Sequence, residues 1–320
     1  KELKQMIKAF KDAGIGVVMD VVYNHTYKTL ESDFNKIVPG YYYRTDLYNR
    51  YSNGSGCGNE TASERSMVRK FIVDSVKYWV REYRIDGFRF DLMGLHDIET
   101  MNLIRKELDA LNPYAIIYGE GWTGGLSPLS SAVAATKTNA PKLDRIGFFN
   151  DNTRDAIKGD NFHSEKTGFI TGNYNMKESV KFGITGAVFH HGIDYSRVIY
   201  NSFAWAGHAW HCVNYAASHD NLTLYDKLRA SRPDLDDEEY MKLVILAGVI
   251  VLTSQGIPFL MLGIDMMRSK KGCHNSYNAP DEINQIDWNN KSRYRRVFEY
   301  HQGLISLRRS HPALRMSMTD

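Results

Sequence analysis

The sequence is poor in cysteine. Cys57, Cys212 and Cys273 are the only three in 320 residues, and no CxxC pair occurs. Three thiols in unlike contexts cannot all pair internally, so a disulfide scaffold is excluded and reduced thiols are expected. Long apolar runs are also missing. The most apolar stretch, Leu243 to Leu252, is ten residues long, whereas a membrane span takes roughly 18 or more. It reads as a buried helix. Charge of one sign is not in excess either: 40 Lys and Arg face 37 Asp and Glu, a net charge of +3. With no basic run, nucleic acid and membrane surfaces are not expected partners. HExxH, a GxSxG elbow and a GK[ST] phosphate loop are absent, so zinc and serine-nucleophile chemistry lack their parts.

What is present is an ordinary globular balance, 43% hydrophobic and 24% charged, with length enough for one large α/β domain. The surplus is tyrosine, 20 in all, clustered at Tyr41, Tyr42, Tyr43, Tyr48 and Tyr51. A flat apolar ring with a hydroxyl suits a wet surface facing sugars or a protein, and equally a partly buried packing loop. The chain opens at Lys1 directly in a helical pattern, so an earlier start is expected for the natural protein. Targeting and compartment are unreadable.

Periodicity gives an alternation of helices and strands. Leu3, Met6, Ile7 and Phe10 predict a helix stopped by Gly14, and Ile15 to Val22 a strand. Residues 26–60 read as a long loop excursion. A helix is expected over Ser63 to Tyr83, with Val68, Phe71, Ile72, Val76 and Trp79 on its apolar side. Then come a strand (Ile85 to Leu92), a helix (Ile98 to Leu111), and strands Ala115 to Gly119 and Leu143 to Phe149. A short helix over Thr153 to Ile157 leads into an elaborated connection over 158–210. The last part predicts a strand (Cys212 to Ser218), a helix (Asp236 to Leu252), a strand (Ile257 to Leu262) and a helix (Tyr294 to Arg309). Apolar strands between helices imply a parallel, covered sheet. Six strands suit a doubly wound sheet, or an eight-stranded barrel with two strands outside this chain.

Polar residues decide between these. Four strands run into Asp20-Val-Val-Tyr-Asn24-His25, Gly87-Phe-Arg89-Phe-Asp91, Tyr118-Gly-Glu120-Gly-Trp122 and Ser218-His219-Asp220-Asn221. Any one could be a turn or cap. Four at the C-terminal ends of parallel strands mark the active face of a barrel. Asp and Glu in a Tyr- and Trp-rich setting point to glycoside cleavage, one carboxylate attacking the sugar and another protonating the leaving oxygen. Period-2 alternation puts Arg89 and Asp91 on one face. Arg89 should favour an ionised Asp91, and Glu120, facing that charge, should hold its proton. Three other signals are weak. Gly54-Ser-Gly56-Cys-Gly58 reads as a flexible loop, His208-Ala-Trp-His211 lacks a second ligand pair for zinc, and His190-His191 reads as a loop contact.

In order, DVVYNH (20–25), GFRFDLMG (87–94), GEGW (119–122) and SHDN (218–221) resemble the four motifs of the α-amylase clan of glycoside hydrolases. GFRFDLMG, GEGW, NSYNAPDEINQIDW (275–288), SDFNKIVPGYYYR (32–44) and YSNGSGCGNE (51–60) resemble type I pullulanase, the debranching member. The resemblance covers nearly the whole chain. It implies a (β/α)8 TIM barrel, of which residues 1–320 run from the second helix through the eighth strand and helix. The first two strands, the carbohydrate-binding modules and the C-terminal β-sandwich would lie outside.

By motif position, Asp91 would be the nucleophile, Glu120 the general acid/base and Asp220 the transition-state stabiliser. Arg89 would hold Asp91 ionised and, with His25, Trp122, His219 and Asn278, line the substrate site. Asp20 and Asn24 would support it from behind. No cofactor is required on this reading and no metal ligand is assigned. Calcium stays open, because the equivalent asparagine binds it in some relatives, although no complete oxygen cage is visible. The implied reaction is cleavage of α-1,6 branch links in pullulan, starch or glycogen-derived dextrins. The partners would be a branched α-glucan and the rest of the parent polypeptide, which completes the barrel. The competing readings are an isoamylase- or α-amylase-type enzyme, an inactive glucan-binding barrel fragment, and a phosphate-binding barrel such as an aldolase. The last lacks a lysine at a strand end.

Overall fold

The structure, a computed structural model, describes residues 1–318. Its contacts divide the chain into two compact units, Lys1–Phe149 and Asn150–Asp320.

The first unit begins with helix α1 (Glu2–Asp12) and strand β1 (Val18–Val21), followed by the short helix α2 (Asp33–Ile37) inside the excursion. Helix α3 (Ser66–Tyr83), β2 (Gly87–Phe90), α4 (Ile98–Asp109), β3 (Ile116–Gly119) and β4 (Ile146–Phe149) complete it. The four strands pair in parallel in sequence order. All four residues of β2 and of β4 are buried, as expected for a parallel strand covered on both faces. Phe88, Phe90, Ile117, Ile146 and Phe148 are at most 1% exposed, and burying each such side chain is worth roughly 1.5–3 kcal/mol. Helices α3 and α4 pack on each other, and the Asp97 side chain caps α4 by accepting the Thr100 N–H.

The register fixes the site. Asp20 pairs with Arg89, Arg89 with Tyr118, and Tyr118 with Gly147. Partners in a parallel ladder share a face, so one row of polar side chains crosses the sheet and ends at a glycine.

Two expectations in this unit need correction. Phe71 is 41% exposed, whereas Val73 and Val80 are buried. The inner stripe of α3 is therefore turned toward Val73 and Val80, and Phe71 meets Phe34 and Tyr23 edge to face. The 26–60 excursion is also more ordered than a plain loop. It carries α2 and single bridges Tyr43–Thr61 and Thr45–Tyr51, and its tyrosines largely pack together. Tyr43 is fully buried against Tyr51, and Tyr42 stacks on Phe34. Only Tyr48 of that cluster stands out into solvent.

The second unit contains α5 (Asp151–Lys158), α6 (Lys177–Ile184), β5 (Cys212–Asn214), α7 (Leu224–Ser231), α8 (Asp237–Thr253) and β6 (Ile257–Pro258), then α9 (Asp281–Asn284), α10 (Asn290–Arg293) and α11 (Arg295–Ser310). Strands β5 and β6 pair in parallel. Helix α8 holds the apolar stretch of residues 243–252 in the core with Val244, Ala247, Ile250 and Val251. Its capping box, with Asp236 on the Glu239 N–H and Glu239 on the Asp236 N–H, sets its start. Among the described residues no helix is long and apolar enough to cross a membrane. Helices α6 and α7 were not expected. Each has only eight residues, below the length at which periodicity is decisive, and α7 is started by Thr223 capping the Asp226 N–H. Strand β5 ends at Asn214, not Ser218.

Candidate active site

Arg89 is the centre of the site in the first unit. It is 6% exposed and comes from β2, whose neighbours are apolar. A guanidinium buried there needs carboxylates, because an unpaired buried charge costs several kcal/mol. It has three. Nη1 donates to Asp20 Oδ1 at 2.9 Å and to Asp91 Oδ1 at 2.9 Å, and Nη2 pairs with Glu120 Oε1 at 2.7 Å. Burial works to lower its pKa, but the pull of Glu120, Asp20 and Asp91 more than reverses that, and it is raised. The Phe149 ring lies 6.0 Å from the guanidinium.

Asp91 directly follows β2, and its N–H donates to Val21 O at 3.0 Å. Asn24, fully buried, reaches over from the end of β1. Its Nδ2 donates to Asp91 O at 2.7 Å and to Asp91 Oδ2 at 2.9 Å. Its Oδ1 faces His25 Nδ1 at 2.5 Å. Both ends of the Asn24 amide are thus engaged within the protein.

Glu120 directly follows β3. Its N–H donates to Phe90 O at 3.1 Å, and Gly119 before it lies so close to the same carbonyl that a Cβ would stand 2.5 Å away. The Leu92 N–H donates to Glu120 Oε2 at 2.8 Å. Arg89 thus meets Asp91, as expected, and meets Glu120 as well, so that Glu120 receives donors on both oxygens. Alternation along one strand shows which residues share a face. It does not show that the β2–β3 register brings Glu120 beside Asp91. Tyr118 is half-buried in the same row, and its hydroxyl pKa is raised by desolvation and then by Asp20. Trp122 is half-buried just beyond Glu120.

In the second unit, His219 and Asp220 stand in an exposed turn past Asn214, with His219 Nε2 3.4 Å from Asp220 Oδ1. Asn221 has φ 60, and its Oδ1 accepts from Asn161 Nδ2 at 2.7 Å. Asn278 is exposed. Lys270, which the sequence did not single out, links these pieces. Its Nζ donates to His219 O at 2.6 Å and to Ser276 Oγ at 2.6 Å, two residues before Asn278. Burial lowers its pKa, and Arg268 adds to that. No pattern marks it, for the stretch Arg268-Ser-Lys-Lys271 is too short to stand out.

Among the described residues no group of three or more His, Cys, Asp or Glu is placed to hold a metal ion. His208 and His211 lie near each other, with ring centroids 6.2 Å apart.

No family model matches the sequence. A pullulanase from Bacillus subtilis (strain 168) is 42% identical over 321 residues, covering 98% of this chain and 42% of that protein. A pullulanase from Klebsiella aerogenes is 33% identical over 331 residues, covering 90% of this chain and 29% of that protein. Among solved structures, type I pullulanase from Bacillus subtilis str. 168 complexed with maltose superposes with a TM-score of 0.93 at 41% identity, covering 99% of this chain and 43% of that one. The Paenibacillus barengoltzii pullulanase in complex with maltohexaose and α-cyclodextrin gives 0.91 at 46%, covering 99% and 48%. The chain thus spans less than half the length of these relatives. Its α/β architecture is that of part of their catalytic barrel, and the chain belongs to the pullulanase family.

Proposed function

We propose that this chain carries the catalytic face of a retaining glycoside hydrolase that cleaves α-1,6 branch links in pullulan, starch or glycogen-derived dextrins. The observation that carries the reading is the buried guanidinium of Arg89 gathering Asp20, Asp91 and Glu120 at the ends of adjacent parallel strands. Retention needs two carboxyl groups close together on one sugar, and a shared arginine supplies that closeness. The relatives solved with maltohexaose and maltose support an α-glucan as ligand.

In the first step the Asp91 carboxylate attacks the anomeric carbon as the bond to the leaving sugar oxygen breaks. Glu120 gives that oxygen its proton. Glu120 must therefore enter protonated, and a proton on Oε1 displaces the Arg89 contact while Oε2 keeps the Leu92 N–H. In the second step water attacks the glycosyl ester, Glu120 takes its proton, and Asp91 leaves as carboxylate. Asp220, by its matched motif, stabilises the positive charge developing at the sugar. His25 and His219 bond sugar hydroxyls, Trp122 stacks on the departing side and Asn278 contacts the glucan, while Asn24 and Asp20 hold Asp91 and Arg89 in place. No step is routed through calcium or any other cofactor. The described residues contain six strands against the eight of a closed barrel, which supports completion by the rest of the parent polypeptide.

The test is product analysis of the full-length protein on pullulan and on linear amylose. Maltotriose from pullulan with little attack on amylose is expected. Equal attack on amylose without maltotriose overturns the debranching assignment.

A further inference from the structure

The first unit holds a second buried ion pair that the reaction does not touch. Arg44 and Glu60, both in the excursion, have side chains 4% and 0% exposed, with Nη1 2.8 Å from Glu60 Oε2. Glu60 also accepts from the Ser52 hydroxyl and from Ser127 Oγ at 2.7 Å. The opposite side of the guanidinium faces Glu64, with Nη2 at 2.8 Å, and Nη2 also donates to Leu95 O at 2.9 Å.

That carbonyl closes the turn that follows Asp91. The turn opens on Leu92 at φ 38, ψ 50, a left-handed conformation that is costly for a leucine and persists only where the surroundings enforce it. Within it the Leu95 N–H donates to Leu92 O at 2.9 Å, and the Gly94 N–H donates to Glu120 O at 3.0 Å. The Leu92 N–H, aimed by the strained φ, holds Glu120 Oε2. The excursion also clasps the loop after Glu120 directly. Gly125 N–H donates to Gly54 O at 2.8 Å, and a Cβ on Gly124 would stand 2.1 Å from Ser55 O.

We propose that Arg44 and Glu60 are positioning residues for Glu120: by locking the Leu92–Leu95 turn they fix the N–H that orients its carboxyl for proton donation. The proposal rests on the acid/base role given to Glu120 above. Asp91 does not depend on the pair, because its own N–H, its carbonyl and its carboxylate are held by Val21, Asn24 and Arg89. Loss of the pair should therefore fall on protonation of the leaving group and largely spare nucleophilic attack.

The experiment compares pullulan with α-maltotriosyl fluoride, whose leaving group needs no proton, in the full-length protein. Arg44→Lys and Glu60→Gln should lower kcat on pullulan about tenfold or more, with KM within about twofold and the fluoride slowed no more than about threefold. Glu64→Gln, which removes only the half-exposed partner of Arg44, should shift the same ratio in the same direction by a smaller factor. It decides the matter if the other two do not fold. Arg65→Ala removes a different clasp of the excursion, to Gly40 O and Tyr41 O, and should leave the ratio unchanged. Equal loss on both substrates, or a rise in KM alone, overturns the positioning role. A wild-type protein that turns over the fluoride but not pullulan overturns instead the functional reading beneath it.

Discussion

The two compact units hold their acids in opposite ways. In residues 1–149, Asp91 and Glu120 have side chains 23% and 11% exposed, and both lie on a buried arginine. In residues 150–320, His219 and Asp220 are 57% and 64% exposed, and the bracing is a lysine bonded to the backbone of the turn rather than to the carboxylate. The proposed tasks differ in the same sense. Bond formation and proton transfer demand placement to a fraction of an ångström. Stabilising a developing charge acts through space, without a bond or proton passing to the residue that does it.

If that contrast is right, removing the nucleophile should do most harm. Asp91→Asn should lower turnover of pullulan and of an activated glycosyl fluoride by about 10⁴-fold or more, and Asp220→Asn should lower both by roughly 10²–10³-fold. Steady-state rates of the two variants on both substrates check this. An Asp220→Asn loss equal to that of Asp91→Asn would erase the distinction.

A smaller effect is expected on stability. Arg89→Lys replaces a fork that meets three carboxylates with a point charge that cannot span them, and urea unfolding should show a loss of about 2–4 kcal/mol. Lys270→Met removes donors from His219 O and Ser276 Oγ, with an expected cost of about 1–2 kcal/mol. A larger loss for Lys270→Met would reverse the ranking of the two braces.

Each unit also buries a basic group whose pKa is pushed well down, His96 in the first and Lys158 in the second, and these sharpen the comparison through pH. Burial, then the nearby Arg44, pushes His96 down to about 4 from its ordinary 6.5. The unfolded chain takes up that proton first, so the stability tied to neutral His96 is present above pH 6.5 and is lost as pH falls toward 4. Burial, then Arg154, pushes Lys158 down to about 7 from 10.5. Stability tied to neutral Lys158 is present above pH 10.5 and is lost as pH falls toward 7. Denaturant midpoints against pH should therefore lose their acid-side slope in His96→Phe and their rise between pH 7 and 10 in Lys158→Met. Unchanged slopes would show that neither group titrates in its window.

Much of this was legible along the chain. The alternation of helices and parallel strands follows from runs such as Gly87-Phe-Arg-Phe90, where local apolar pattern and length suffice. The acids stood out because Asp91 and Glu120 follow such strands directly, and because their flanking motifs match a known family. Strand ends were less legible. Asp220 lies beyond β5 rather than at its end, since the strand stops at Asn214, and apolar Tyr215, Ala216 and Ala217 are buried without being strand.

By itself, then, the sequence determined element order, the strand faces of Arg89 and Asp91, and the chemistry available at each strand end. These depend on periods of 2 and 3.6 residues that one segment carries within itself. Only the tertiary structure decided that Arg89 is shared by three acids, that a leucine is bent left-handed to reach Glu120, and that Arg44 in a distant excursion braces that bend. Each of these joins residues many positions apart, through a strand register or a buried ion pair. No local pattern encodes such a partner, because the pairing is set by how segments pack.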